Sequence, residues 1–230
     1  MKKIYLSLVA GIVGLVSFPS RSQEQAVHRE IAVGAFTGIT LSKVSFFPKI
    51  SEKYALGYVI GAKFRFISEK YWGFLLEPNY CRNGWTENFN EYQFAEGETA
   101  HSLSYSRSLH YLELPFMTHY YLGNKQRVFV NAGPVARILF YESESIGFDQ
   151  APTTYGQGAY SKPTDNMFDY GIAGGIGFEL QTKKGNFALE GRYYFGLGDI
   201  FGNRKTDFFS KSANEYIVIT FACLFPSFMK

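Results

Sequence analysis

The sequence predicts an all-β fold: an eight-stranded antiparallel up-and-down transmembrane β-barrel behind a cleavable signal peptide. Three observations carry that expectation. The chain holds eight runs rich in aromatic, β-branched and glycine residues, most about ten residues or longer. Strands of soluble proteins are nearer five or six residues, whereas a tilted strand needs about 9–11 to cross a bilayer. The connections between the runs alternate long and short. Within each run, large apolar residues alternate with small or charged ones.

The first residues read as a leader. Lys2 and Lys3 precede an uncharged apolar stretch from Ile4 to Phe18, and Ser20-Arg21-Ser22 follows. That layout predicts export and removal of residues 1–22; the stretch is short for a membrane-spanning helix, which needs about 20 residues. Residues 23–29 are expected as a periplasmic N-terminal segment and 30–230 as the barrel domain. Taking Lys2, Lys3 and Arg21 from the 23 basic residues leaves 20 facing 20 acidic ones. The mature chain is then formally neutral, with no basic stripe, so no nucleic-acid partner is expected. Cys81 and Cys223 are too few for a disulfide framework and lack metal-ligand spacing.

The elements follow in order. Expected strands run about Glu30–Leu41, Ala55–Ile67, Tyr71–Arg82, Tyr105–Leu122, Arg127–Tyr141, Phe168–Gln181, Asn186–Gly198 and Asn214–Phe225. Short turns are expected at Ser68–Lys70, Gly123–Gln126 and Thr182–Gly185. Longer connections are expected at Ser42–Tyr54, Asn83–Ser104, Glu142–Met167 and Asp199–Ala213. An outer-membrane barrel sorts its connections in this way, with short periplasmic turns and long external loops. Both termini are then periplasmic.

Period-two alternation assigns the faces. In the second run Tyr58, Ile60, Phe64 and Phe66 share one side, and Gly57, Gly61, Lys63 and Arg65 the other. In the seventh, Leu189, Tyr193 and Phe195 oppose Ala188, Glu190 and Arg192. One face is large and apolar; the other is small or charged. A soluble barrel with an apolar cavity needs the reverse arrangement. A Lys or Arg on the lipid side costs roughly 2–4 kcal/mol at the bilayer midplane, so the charged face is expected to point inward. Lys63, Arg65, Glu77, Glu113, Arg137, Glu179, Glu190 and Arg192 are the expected lumen charge network, with Arg137 as the partner of Glu113. An eight-stranded barrel is just wide enough for side chains to fill, so the lumen is expected to be a plug of salt bridges. Tyr71, Trp72, Tyr120 and Tyr121 by the short turns, and Tyr80, Trp85, Tyr105 and Tyr141 by the long loops, are the expected aromatic girdles. Pro78, Pro115 and Pro134 each fall about seven residues in from the short turns, on three consecutive strands; they predict a local break or bulged seam.

The segments LEPNY (76–80), HYLELPFMTHYYLG (110–123), VNAGPVARILF (130–140), FDYGIAGGIGFEL (168–180) and LEGRYYFGLGDI (189–200) occur in order along the mature chain. In them the chain resembles the PorT-like outer-membrane β-barrel family of Bacteroidetes. The resemblance implies an eight-stranded barrel in the outer membrane and, for one branch of the family, a role in protein secretion or its assembly.

Candidate chemistry is sparse. Ser106 and His110 share a strand but are too far apart along it to bond directly, and no acid is dedicated to them. His119 is expected to bond within the lumen, and His28 precedes the first strand. No histidine set has metal spacing. The glycines of GIAGGIG (171–177) lack the lysine and following helix of a phosphate loop. The expected function is therefore a non-enzymatic component of the cell envelope, structural or interacting, monomeric, without cofactor. Its expected partners are outer-membrane lipid, the outer-membrane assembly machinery, for which the alternating C-terminal strand ending at Phe225 is a cue, and envelope or secretion proteins. The alternatives are a lipid A-modifying enzyme at the external rim, and a surface ligand- or glycan-binding module using the long loops, with Trp85 and Tyr92 as its platform.

Overall fold

The computed structural model describes residues 29–49, 52–87, 105–146, 163–202 and 209–228. The expected leader, His28, Tyr92 and much of the three longest connections lie outside the described residues. The described chain forms one antiparallel sheet: β1 (Glu30–Phe47), β2 (Glu52–Glu69), β3 (Trp72–Leu76), β4 (Asn79–Glu87), β5 (Tyr105–Gly123), β6 (Gln126–Ile146), β7 (Phe168–Thr182), β8 (Gly185–Asp199) and β9 (Lys211–Phe228). Consecutive strands pair, except that β3 and β4 each pair with both β2 and β5, and β9 pairs with β1 from Glu30↔Phe228 to Phe47↔Lys211, so the sheet closes. Closure removes the free edges that an open sheet would present.

Nine segments make eight staves. β3 and β4 lie between the same neighbours, β2 and β5, and their pairings continue in one register: Phe64↔Leu76 and Gly61↔Asn79 on one side, Leu76↔Phe116 and Asn79↔Glu113 on the other. Proline chemistry explains the interruption at Glu77-Pro78. The Pro78 carbonyl accepts from Ala62 N–H at 3.0 Å, but Pro78 has no N–H to return the bond. Glu77 N–H donates to the Pro115 carbonyl at 3.1 Å, and Pro115 likewise returns nothing. The carbonyl of Glu77 instead accepts from the side chain of Asn79 at 3.0 Å. Between β5 and β6 the ladder also lapses from Pro115↔Val135 to Thr118↔Ala132, opposite Pro134, again without a change of register. The prolines make a break and not a bulge.

Strands are longer than expected at the external end. β1 runs to Phe47 and β2 begins at Glu52, so the connection expected over Ser42–Tyr54 shrinks to the short span between them. The added residues are paired: Ser45 lies opposite Ala213, and Glu52 opposite Glu87. Cross-strand bonding continues above the level at which apolar patterning fades, and pattern alone ended the strand there. At the opposite end Gly123 turns with φ +106°, where an added Cβ would sit 2.1 Å from the Gln126 carbonyl.

The faces sort as a membrane barrel requires. Leu112, Leu114 and Phe116 are about half exposed on the outside, as are Ile60, Ile172 and Phe221. Lys63, Arg65, Glu113 and Arg137 are buried inside. Three expected girdle residues do not face lipid: Trp85, Tyr105 and Tyr121 are buried within the barrel. Parity is the reason. Trp85 shares the parity of Glu77, Tyr105 that of Glu113, and Tyr121 follows the outward Tyr120. Tyr71, Trp72, Tyr120 and Tyr141 are exposed, and Tyr80 is half-buried. A register shift at His110/Tyr111 turns both Phe140 and Tyr141 outward, so Glu142 beyond them points back toward the interior.

Candidate functional site

Among the described residues the interior is occupied by layers of side chains, set by alternate residues of facing staves. Nearest the short turns, Arg65 of β2 pairs with Glu30 of β1 at 2.7 Å and with Glu179 of β7 across the lumen. Arg127 of β6 closes that layer, 3.6 Å from Glu30 and 3.5 Å from Glu179. Two carboxylates face two cations.

The middle layer repeats that balance. Lys63 Nζ lies 2.9 Å from Glu77 and 3.2 Å from Glu190. Arg192 reaches Glu77 at 2.6 Å and Glu190 at 2.9 Å. Asn131 donates to Glu190 at 2.8 Å, and its Oδ1 meets His119 Nδ1 at 2.7 Å. Ionised groups taken out of water cost several kcal/mol each, and only dense pairing of this kind offsets the penalty.

The third layer is unbalanced. Arg137, fully buried, sits 2.7 Å from Glu113 and 3.2 Å from Asp169. Tyr216 donates to Glu113 at 3.1 Å, and Asn214 donates to Asp169 at 2.9 Å. The guanidinium carbon lies 3.9 Å from the ring centroid of Tyr111, 4.8 Å from that of Tyr194 and 5.2 Å from that of Tyr216. One cation thus serves two carboxylates and three aromatic faces, each face a cation–π contact.

Above the charges the filling becomes aromatic. Phe46, Trp85 and Tyr105 meet Ile200, Phe201 and Phe209, which enter from the connection between β8 and β9. The Phe46 ring lies 5.3 Å from Trp85 and 4.6 Å from Phe209. Arg107 crosses this cluster over Trp85 and Phe201 and pairs with Glu142 at 2.8 Å and Glu144 at 2.9 Å.

All eight residues of the expected lumen network therefore lie inside, each against a side chain of opposite charge type. Asp169 and Tyr194 share the inward faces of Glu179 and Arg192 but were not expected in the network, and sequence reading missed Glu30, Arg127, Asn131, Tyr111 and Tyr216. Their parity was the available signal: each alternates with outward apolar residues on its own strand. Glycines make the room. A Cβ on Gly171 would stand 2.7 Å from the Tyr194 ring, and one on Gly177 2.2 Å from the Phe129 ring.

His110, on the outer wall, bonds the phenol of Tyr80 at 2.6 Å. Among the described residues, no carboxylate contacts it. The glycan platform loses Trp85, which is enclosed. Among the described residues, no three His, Cys, Asp or Glu side chains converge where a metal ion could sit. Cys81 and Cys223 are both free thiols.

A family model described as an outer membrane protein beta-barrel domain matches residues 21–202. Solved structures with a similar strand arrangement include Ail, the attachment invasion locus protein of Yersinia pestis, determined with the heparin analogue sucrose octasulfate: 9% identity, TM-score 0.42, covering 85% of this chain and 99% of that one. Neisserial surface protein A is 9% identical with a TM-score of 0.43, covering 85% and 97%. OprG of Pseudomonas aeruginosa is 12% identical with a TM-score of 0.41, covering 88% and 96%. No curated protein matches the chain.

Proposed function

Given that this chain belongs to the outer membrane protein beta-barrel domain family, and so resides in the outer membrane of a Gram-negative cell, we propose that it is a non-enzymatic, non-conducting envelope component that works through contacts with other envelope proteins. The observation behind this reading is the filled lumen: three charged layers and an aromatic cluster occupy the interior, leaving activity to the rims and the outer wall. The PorT-like segments support the finer assignment to protein secretion or its assembly, with the chain acting as a monomeric anchor for partners.

Two measurements test the reading. The full-length protein in a planar bilayer should pass no sustained current; a stable open state would refute the plug. A photo-crosslinker at exposed Tyr141 or Met167 in living cells should capture the same envelope or secretion proteins repeatedly. Capture of lipid alone, from both positions, would leave no interaction role.

A further inference from the structure

On the outer wall the apolar belt gives way to polar residues along β4 and β5. Going up β4, the outward positions after Tyr80 are Arg82, Gly84 and Thr86; on β5 beside them they are His110, Ser108 and Ser106. Beside Arg82 and His110 the flanking strands are aromatic, with Tyr58 opposite Arg82 on β2 and Tyr141 opposite His110 on β6; further up they turn polar, with Lys53 opposite Thr86 and Ser143 and Ser145 opposite Ser108 and Ser106. The guanidinium of Arg82 thus stands where the aromatic wall gives way to a polar outer rim.

Height identifies the surroundings of that guanidinium. Trp72, beside a short turn, marks the lower edge of the belt, and Arg82 is ten positions further along the same stave. At about 3.3 Å per residue and a tilt near 40°, the rise is about 25 Å, the height of the apolar band. Arg82 therefore lies at the external headgroup level, where lipid phosphates are.

Its partners leave it wanting an anion. Arg82 Nη2 donates to the hydroxyl of Ser108 at 2.9 Å, and among the described residues no carboxylate pairs with it. The contrast is Lys43, another outward cation at the external end, which has Glu215 at 3.8 Å. His110 stands directly opposite Arg82 in the ladder, with side chains about 5 Å apart at their bases. When the Tyr80 phenol donates to His110 Nδ1, the hydrogen of the imidazole is on Nε2, so the ring adds a second donor beside the guanidinium. Arg82, His110 and the hydroxyl of Ser108 form a donor-rich recess, walled by Tyr58 and Tyr80, whose rings are 5.7 Å apart.

We propose that Arg82, Ser108 and His110 form a binding site on the lipid-facing wall for the phosphate of an outer-leaflet lipid A headgroup. Arginine suits the task because its planar fork meets two phosphate oxygens at once. The aromatic walls take the adjoining sugar and the upper acyl chains.

The test uses the full-length protein in mild detergent, with bound lipid counted by native mass spectrometry. Probes are bisphosphorylated lipid A, its dephosphorylated form and inorganic phosphate. Dephosphorylation should lower occupancy of the wild-type protein about tenfold, the scale of one lost charge-assisted contact. R82Q should lose about as much, with heat-shifted gel mobility confirming a folded barrel, while K43Q should bind as wild type. Millimolar inorganic phosphate should not displace the lipid. Equal binding of the dephosphorylated form, or of folded R82Q, would overturn the site; so would an equal loss in K43Q. Displacement by inorganic phosphate would overturn the lipid assignment. The comparison of lipids on the wild-type protein needs no variant to fold.

Discussion

Replacing Arg137 by methionine isolates the unbalanced third layer. Arg137 is fully buried and answers Glu113 at 2.7 Å and Asp169 at 3.2 Å. Methionine keeps most of the volume and can pack against the rings of Tyr111, Tyr194 and Tyr216, so the change removes charge more than bulk. Two carboxylates are then enclosed with no cation. Removing one partner of a buried pair costs about 3–5 kcal/mol, because the charge left behind has lost its solvent and its counter-ion. Three cation–π contacts are lost as well, at roughly 0.5–2 kcal/mol each, although sulfur–ring contacts recover part of that. A loss of about 4–5 kcal/mol is expected. The assay is urea unfolding in detergent micelles, followed by the mobility difference between folded and unfolded barrel on unheated gels. Adding Glu113→Gln to R137M should recover about 2 kcal/mol, since one of the two stranded charges disappears. A loss under about 1 kcal/mol for R137M, or no recovery in the double variant, would refute the view that this layer is held together by its single cation.

Other perturbations probe the break and the plug. Asn79→Ala removes the donor to the Glu77 carbonyl, which Pro115 cannot serve; unfolding should show a loss of about 1–3 kcal/mol. Gly177→Val places atoms where the Phe129 ring lies, so the same assay should show a loss of about 1–3 kcal/mol or more, whereas Gly191→Ala, where an added Cβ meets nothing within 4 Å, should be mild, within about 1 kcal/mol. Phe209→Ala withdraws a ring from the external aromatic cluster, where it packs 4.6 Å from Phe46. The same unfolding assay should show a loss of about 3–5 kcal/mol, the scale of truncating a buried aromatic side chain.

Much of the architecture was legible in advance because side-chain period is a local property of a strand. Lys63 and Phe64 cannot face the same way, and a guanidinium such as that of Arg65 has only one affordable side in a bilayer. That reasoning placed Glu113 inside and Leu112, Leu114 and Phe116 outside. The girdle was misread where position along the strand was weighed without parity: Trp85, Tyr105 and Tyr121 sit near the right level but on the inner face. The outward Tyr141 depends on the shift beside Phe140, which leaves no mark in residue type. Pro78 and Pro115 signalled disruption, but whether a missing donor produces a bulge or an in-register gap depends on what else can satisfy the facing carbonyl, and here the side chain of Asn79 does.

By itself, the amino-acid sequence determined the number of staves, their alternation and the inward side of charges such as Lys63, Glu113 and Arg192, since these follow from spacing and from the cost of charge in lipid. Only closure of the sheet decided who meets whom across the lumen. Glu30, Arg65 and Glu179 come from β1, β2 and β7, which share a layer because the ring joins β9 to β1 and sets the stagger of every stave between. Glu113, Arg137 and Asp169, by contrast, lie directly opposite one another on the consecutive strands β5, β6 and β7, which is why the partnership of Glu113 and Arg137 was legible in advance. Partnership across a lumen is a property of curvature and register, and no local stretch of sequence carries either.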